Sequence, residues 1–593
     1  MVEPGALMSE LTAVASQPAS PKGLKPVLLR FAESPLLLAV TAYLLSTLIL
    51  LPNHMAFYYK DEVVYVAAAE RYAAGDFAHA PNSLWGPLIS WLMAVPLALG
   101  ASAIVAARVV PILIGIVTLW AVRRLARTLS LSDGLQVVLL LTLVPYLLYF
   151  SIIGASDDLP LTLLLVVYFS IIFDPRYPGM RYTGAVCGLL GAFCYFAKGF
   201  GLGFFLIHFT MSSLLHWLAN SEAKLRRHVI RHFGAGLLVF ATLASLWVAA
   251  LHQKYGVLTF GITGEYNHQI RGPDAKDRPA LQIGFVAPPE GTTVSIWEDP
   301  AYYYDLPQAR ECCLKHWSAF DSGSAFKHQL LLFKLNLGRA LMTFIGYSPF
   351  TLFVGFAGLA YCFAPFWPGN RRKKAPVGAG WRKRASFEAE QLGYALDKKQ
   401  RLTPMLMLFT LLLYPLPYTL VFSDERFYWP VLIVVMAFGL YLLQIFFSTY
   451  GISRTGRGWL IGLFAASFLL FPTYRLTTGN KARAALASIS QRVDHKQFAG
   501  APIASQNDFG ASMVVAYYAH AKYYGSAAPG MSDEAILQDL RRKGVQYYFV
   551  WDLPVIDRPG MTLSRVLKAD FRSLAIYSID PLPKETDGRA TGA

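Results

Sequence analysis

One length recurs along this chain and limits what it can fold into. The sequence runs again and again for close to 20 residues with few or no charges, as at 134–153 and 429–449. A helix of that length crosses a hydrocarbon core roughly 30 Å thick and satisfies its backbone amides within the segment. About eleven such runs can be placed, near 35–52, 103–122, 134–153, 159–173, 182–197, 200–218, 233–251, 346–366, 403–422, 429–449 and 458–473. The expected fold is therefore an all-α polytopic membrane domain. Composition agrees, with 55% hydrophobic and 15% charged residues, against about 25% charged in ordinary globular domains.

The formal net charge of +16 could suggest a nucleic-acid partner, but its distribution argues against one. The cations fall in short loops between the apolar runs, as membrane orientation requires. Lys22, Lys25 and Arg30 place the N-terminus in the cytoplasm. Arg123, Arg124 and Arg127 mark the same side, as do Arg176 and Arg181, then Lys224 to Arg231, Arg371 to Lys374, and Arg454 with Arg457. The segment 53–102 must then begin and end outside. Its two moderately apolar stretches, 62–76 and 86–100, are predicted to lie in the interface rather than cross. A further amphipathic stretch precedes 346–366. The predicted organisation is a disordered cytoplasmic tail over 1–27 and a transmembrane domain over 28–473, with outer loops 53–102 and 252–345. A periplasmic domain follows over 474–593, in a multi-pass protein of a bacterial inner membrane.

The segment 474–593 differs in kind. Ala501–Ser505 reads as extended, and Ser532–Arg542 has a capped helical period. Val545–Trp551 and Leu574–Ile579 have the β-branched and aromatic content of buried strands. A small α/β domain is predicted. It has no glycine-rich phosphate loop, so a structural lid or docking role is favoured over a nucleotide site. Cys187, Cys194 and Cys362 fall in apolar runs as packing residues. The adjacent Cys312 and Cys313 read as free thiols, because a disulfide between neighbours is strained. The stretch Trp297-Glu298-Asp299-Pro300 is either an acceptor-shaping loop or a turn.

Polar residues on the side assigned as outer gather at the ends of the apolar runs. Asp61-Glu62, Asp157-Asp158 and Asp424-Glu425 are acidic pairs, and Lys198, Arg271 and Arg426 are the cations at similar depth. Ionisable groups at that depth are costly and tend to be functional. Asp61-Glu62 is followed by Tyr65, and then by Trp85-Gly86-Pro87-Leu88-Ile89-Ser90-Trp91. Further on come Ala155-Ser156-Asp157-Asp158-Leu159, Ala197-Lys198-Gly199, Asn267-His268-Gln269-Ile270-Arg271 and Arg426-Phe427-Tyr428-Trp429-Pro430.

This series, in order over residues 30–450, resembles the C-type glycosyltransferase fold (GT-C). The resemblance is to the branch of the lipid A aminoarabinose transferases and protein O-mannosyltransferases. In that branch an Asp-Glu followed by Tyr opens the first juxtamembrane helix, and Pro-Leu-x-x-Trp opens a later one. Asp61, Glu62, Tyr65, Pro87, Leu88 and Trp91 match. One departure stands out. The aminoarabinose transferases carry Glu-Lys where this chain has Leu84-Trp85, so a donor-phosphate contact and a metal ligand of that subgroup are missing.

The resemblance implies an inverting transfer of a hexosyl or pentosyl group from a polyprenyl phosphate. The acceptor would be a hydroxyl of a glycan, lipid or protein at the outer face of the membrane. It implies Asp61 and Asp158 as catalytic carboxylates. Lys198, Arg271 and Arg426 would bind the donor phosphate. Glu62, Tyr65, Asp157, His268 and Tyr428 would support the acceptor. Partial burial is expected to raise the Asp61 pKa and strengthen it as a base. No cofactor is required, and a divalent metal on Asp61 and His268 stays an open option. Two other readings compete. A flippase or transporter of lipid-linked glycans predicts polar residues within the spans. A non-catalytic envelope-assembly protein predicts tolerance to loss of Asp61.

Overall fold

The computed structural model describes residues 34–57, 60–152, 154–273, 284–285, 316–363, 398–478, 480–528 and 530–580. The tail 1–27, Trp297 to Pro300, Cys312, Cys313 and Arg371 to Lys374 lie outside the described residues. The helices of the bundle are α1 (Pro35–Leu50), α2 (Lys60–Ala73), α3 (Leu88–Ala98), α4 (Ala103–Thr128), α5 (Asp133–Ile152), α6 (Asp158–Ile172), α7 (Thr183–Ala197) and α8 (Phe200–Ala219). They continue with α9 (Ala223–Tyr255), α10 (Thr263–Gln269), α11 (Gly323–Tyr347), α12 (Phe350–Phe363), α13 (Lys398–Leu413), α14 (Trp429–Tyr450) and α15 (Arg454–Thr478).

Among the described residues, nine helices are long and apolar enough to cross a membrane. The runs expected at 159–173, 182–197 and 346–366 form the shorter apolar helices α6, α7 and α12, of 15, 15 and 14 residues. Helix α6 is buried along most of its length. Helix α7 meets α9 through small residues: a Cβ on Gly184 or Gly188 would lie 2.1 Å from a backbone carbonyl oxygen of His232 or Gly236. Close backbone approach of this kind drives helix association where lipid removes the hydrophobic incentive. The outward faces stay apolar, as on α1, where Leu48 is 68% and Ile49 74% exposed.

Helix α4 runs the length of the bundle's apolar part. Arg108 near its start and Arg127 near its end are separated by roughly 29 Å of helix. The end bearing Arg108 also carries α2 and α3, which fill the stretches predicted to lie flat.

Helix α11 is one of the nine by length and composition, and three of its polar side chains reach one short segment. Gln329 donates to the Leu420 carbonyl at 2.8 Å, Asn336 to that of Val421 at 3.1 Å, and the Tyr347 hydroxyl to that of Glu425 at 2.6 Å. These donors are spread over roughly 27 Å of helix, while their acceptors lie within residues 420–425. The amphipathic stretch expected before 346–366 falls on this helix.

The C-terminal segment forms a twisted mixed sheet with helices α16 (Phe509–Tyr518) and α17 (Asp533–Arg542). Its strands are β2 (Pro502–Gln506), β3 (Lys522–Ser526), β4 (Tyr547–Trp551), β5 (Met561–Ala569) and β6 (Arg572–Ile579), and a sixth strand, β1 (Gly284–Phe285), comes from the long loop after α9. The order is β1-β3-β2-β4-β6-β5, with β3, β2 and β4 parallel. The runs read as extended or helical at 501–505, 532–542, 545–551 and 574–579 fall on β2, α17, β4 and β6. Ser532 caps α17 by accepting from the Ala535 amide. Helix α16 packs on α2: the Tyr517 hydroxyl donates to Glu70 at 2.8 Å, and the Phe57 amide donates to the Tyr518 hydroxyl at 2.8 Å.

Candidate active site

Lys60, Asp61 and Glu62 open α2, where carboxylates also face the positive end of the helix dipole. Successive helical residues point about 100° apart, so the two carboxylates take different partners. Asp61 accepts from the Arg426 guanidinium at 2.8 Å. Glu62 turns into the core and pairs with Arg108, the two side chains being 0% and 1% exposed.

Helix α6 begins at Asp158, directly after Asp157. Lys198 follows the last residue of α7 in an extended conformation, which swings its side chain back toward α6. Its Nζ lies 2.5 Å from Asp158 Oδ1 and 3.6 Å from Asp157 Oδ1, over the Phe427 ring at 4.1 Å. Arg426 sits in a 3-10 turn, Glu425–Tyr428, whose N-cap Asp424 accepts from the Arg426 amide at 3.3 Å. Its Nε lies 3.4 Å from Asp158 Oδ2. The result is a chain of alternating charge: Lys198, Asp158, Arg426, Asp61, with Asp157 beside Lys198. It joins four segments that are far apart in sequence.

Burial pushes the Asp61 carboxyl upward, but the Arg426 and Lys60 charges outweigh it and hold it below the usual carboxylate range. The expected rise is thus overturned, because the sequence pattern does not show which cations the fold brings close. Asp157 goes the other way: burial raises it to about 6, with Lys198 opposing and Asp158 adding to the shift. Lys60 is lowered by burial and by Arg426, against the pull of Asp61 and Asp508. Tyr65, one turn along α2, is buried and held well above its ordinary range by burial and by Asp157 and Asp61.

Sequence reasoning missed Arg108, which lies within a run read as a span. The available signal was an arginine inside an apolar helix, which by default marks a functional or paired group. Besides Glu62, it donates to the backbone carbonyls of His54 at 2.7 Å and Ala56 at 2.8 Å. Glu62 in turn accepts from the Ala155 amide at 3.0 Å. One buried ion pair thus ties the end of α1, the start of α2, α4 and the loop before Asp157.

The other sequence-predicted residues lie around this centre. The Tyr428 hydroxyl shares a 2.8 Å hydrogen bond with Ser423 and is buried. His268 stacks on Trp317 with ring centroids 4.2 Å apart and bonds Gln329 of α11 at 3.0 Å, so its ring partners among the described residues are Trp317 and α11 and not the carboxylates. Among the described residues no group of three or more His, Cys, Asp or Glu side chains could hold a metal. The Arg271 guanidinium lies 3.7 Å over the Phe422 ring, and burial together with the Arg339 charge lowers it to about 10. Leu84 and Trp85, at the departure noted above, have amides that donate to Asn82 Oδ1 at 2.8 and 3.0 Å.

No protein-family model matches the chain, and no curated protein does. Solved structures do. The oligosaccharyltransferase of Archaeoglobus fulgidus, solved in complex with zinc and sulfate, aligns with a TM-score of 0.51 at 12% identity, over 87% of this chain and 68% of that one. ArnT from Cupriavidus metallidurans, bound to undecaprenyl phosphate, aligns with a TM-score of 0.50 at 12% identity, over 91% of this chain and 97% of that one. The likeness is one of fold: the chain has the GT-C fold, a helical membrane domain with a small α/β domain.

Proposed function

We propose that this protein transfers a sugar from a polyprenyl-phosphate donor to an acceptor hydroxyl at the outer face of the membrane, with inversion. The observation that carries this reading is the alternation of Asp61, Asp157 and Asp158 with Lys198 and Arg426 at one end of a GT-C bundle. ArnT, of the same fold, was solved with undecaprenyl phosphate.

In this reading Asp61 takes the proton of the acceptor hydroxyl as the oxygen attacks the anomeric carbon. The bond to phosphate breaks on the opposite face of the sugar, and the leaving lipid phosphate gains a negative charge. Arg271, Lys198 and Arg426 stabilise that charge in a site from which bulk water is excluded. Asp61 suits the base role because its side chain is 11% exposed against 2% for Asp158, which is enclosed by its two cations. A second reading gives the proton to Asp157. Its support is the pKa near 6, since a base titrating close to the working pH is the more effective one. No metal enters the steps derived for these residues.

The transport reading has less support. Polar side chains at span depth, such as Tyr168, His208, Ser212 and Thr410, bond one another. The test is direct. Purified protein in lipid discs, given polyprenyl-phosphate hexoses and pentoses, should release polyprenyl phosphate in the presence of acceptor. Mass spectrometry of envelope glycans and lipids from a deletion strain should find one sugar missing. An unchanged envelope, together with no release from any donor, would count against the proposal.

A further inference from the structure

Lys60 immediately precedes Asp61 and is half-buried. It is the first residue of α2, where the helix dipole disfavours a positive charge. Its stem leads to a second helix start of the same sign. Gly510 lies in the first turn of α16, and a Cβ built on it would lie 3.8 Å from Lys60 Cδ, 3.9 Å from Lys60 Cβ and 3.6 Å from Asp508 Oδ1. Bare backbone at Gly510 lets the lysine stem lie on the C-terminal domain. The charges of Arg426 and Arg271 oppose the ammonium there, while Asp61 and Asp508 favour it. An apolar side chain in that place would avoid the cost of burying a charge, so packing alone does not account for the lysine.

Asp508 is fixed from its own domain. As the N-cap of α16 its Oδ1 accepts from the Ala511 amide at 2.9 Å. Its Oδ2 accepts from Arg572 at 2.7 Å, and the Arg572 Nε lies 2.7 Å from Asp552 Oδ2. Further along, the bond from Tyr517 to Glu70 holds the same two helices together. Helices α2 and α16 thus run side by side in the same direction, from Lys60 and Gly510 to Glu70 and Tyr517. Lys60 is gripped from the C-terminal domain, and Asp61, one residue on, from Arg426 of the bundle.

We propose that Lys60 is a positioning residue: anchored by Asp508, it fixes the first turn of α2 so that Asp61 faces the acceptor. The C-terminal domain is thereby a working part of the site. The proposal rests on the glycosyl-transfer reading and gives that domain its part in it.

The test uses the full chain in lipid discs. Polyprenyl-phosphate hexoses and pentoses serve as donors and an extract of envelope lipids and glycans as acceptor, and release of polyprenyl phosphate is followed together with melting. Lys60→Met should melt as wild type, because Asp61 keeps Arg426 and Asp508 keeps Arg572. Its kcat should fall about 10- to 100-fold, the range for a misplaced reacting group, with the donor KM kept. Lys60→Arg should recover most of the loss. Asp508→Asn retains a helix cap and should slow turnover likewise, and the double variant should be no slower than Lys60→Met alone. Lys568→Met, exposed on the edge strand of the same domain, should turn over as wild type. Wild-type kcat in Lys60→Met would overturn the proposal. So would a fall in kcat matched by a fall in melting temperature, which marks a structural joint, or a Lys60→Arg as slow as Lys60→Met. Effects that multiply in the double variant would overturn the role of Asp508. No release by the wild-type protein from any donor would overturn the transferase reading, and the proposal with it.

Discussion

Asp61 and Asp157 lie in one charge cluster, and their surroundings pull them in opposite directions. Asp61 stays ionised well into acid because Arg426 and Lys60 favour its charge. Asp61→Asn keeps the shape and removes the basicity, so transfer should fall ~10²- to 10⁴-fold, with polyprenyl phosphate still bound. Near-normal turnover by a well-folded variant would move the base to Asp157 or Asp158, and the matching asparagine variants would decide between them. Asp157 bears on stability. Its folded pKa of about 6 stands above an unfolded value of about 4. The folded state therefore holds an extra proton between those values. That contribution is fully present below about pH 4 and is lost as pH rises through 6. Asp157→Asn should melt higher than wild type at pH 7.5, by on the order of 1–3 kcal/mol, with no gain at pH 4. A gain of equal size at both pH values would rule out the ionisation as its cause. Asp61, Asp158, Lys198 and Arg426 are legible in the sequence because each stands at the end of an apolar run. Their pairing is not, because 365 residues separate Asp61 from the guanidinium that meets it.

At the scale of elements, the Glu62 and Arg108 pair is the joint that fixes α2 against the loop before Asp157. Breaking a buried pair leaves an uncompensated charge and costs roughly 3–5 kcal/mol. Arg108→Met should lose about that much in melting experiments. The double variant Glu62→Gln with Arg108→Met should lose clearly less than the two single changes added, because both removed groups were each other's partner. Simple additivity would place the stabilisation in the backbone contacts of Arg108. The two moderately apolar stretches of 53–102 are legible as separate short helices, and they fall on α2 and α3. The direction of α11 is less so. Its 25 residues satisfy a length criterion for spanning, whereas the sequence pattern reads as an amphipathic stretch of the loop 252–345. In the C-terminal sheet, β3 escapes sequence reading because Lys522–Ser526 is short and contains Gly525, and β5 because its middle is exposed on both faces at the sheet edge. Edge strands need no continuous apolar run.

For the whole molecule, the arrangement predicts one end facing out. Asp557→Cys in the C-terminal domain should react with a membrane-impermeant thiol reagent in intact cells, and Arg124→Cys should not until the membrane is opened. The reverse pattern would invert the proposed topology. The C-terminal domain also touches the site helix through Tyr517 and Glu70. Tyr517→Phe should reduce turnover by a few-fold with donor binding kept, if that contact steadies α2; unchanged turnover would leave the contact a purely structural one. The strand β1 has a further consequence, which concerns synthesis. Gly284 pairs with Ser526, about 240 residues later in the chain. At about 5–20 residues per second, that partner strand emerges some tens of seconds after β1 has passed. Every helix from α11 to α15 is made in the interval. The sheet can therefore close only once the bundle has its last members, so that closing it serves as a late check on assembly: a chain with a misplaced helix would be left with an unpaired strand edge, the kind of surface that quality-control proteases and chaperones recognise.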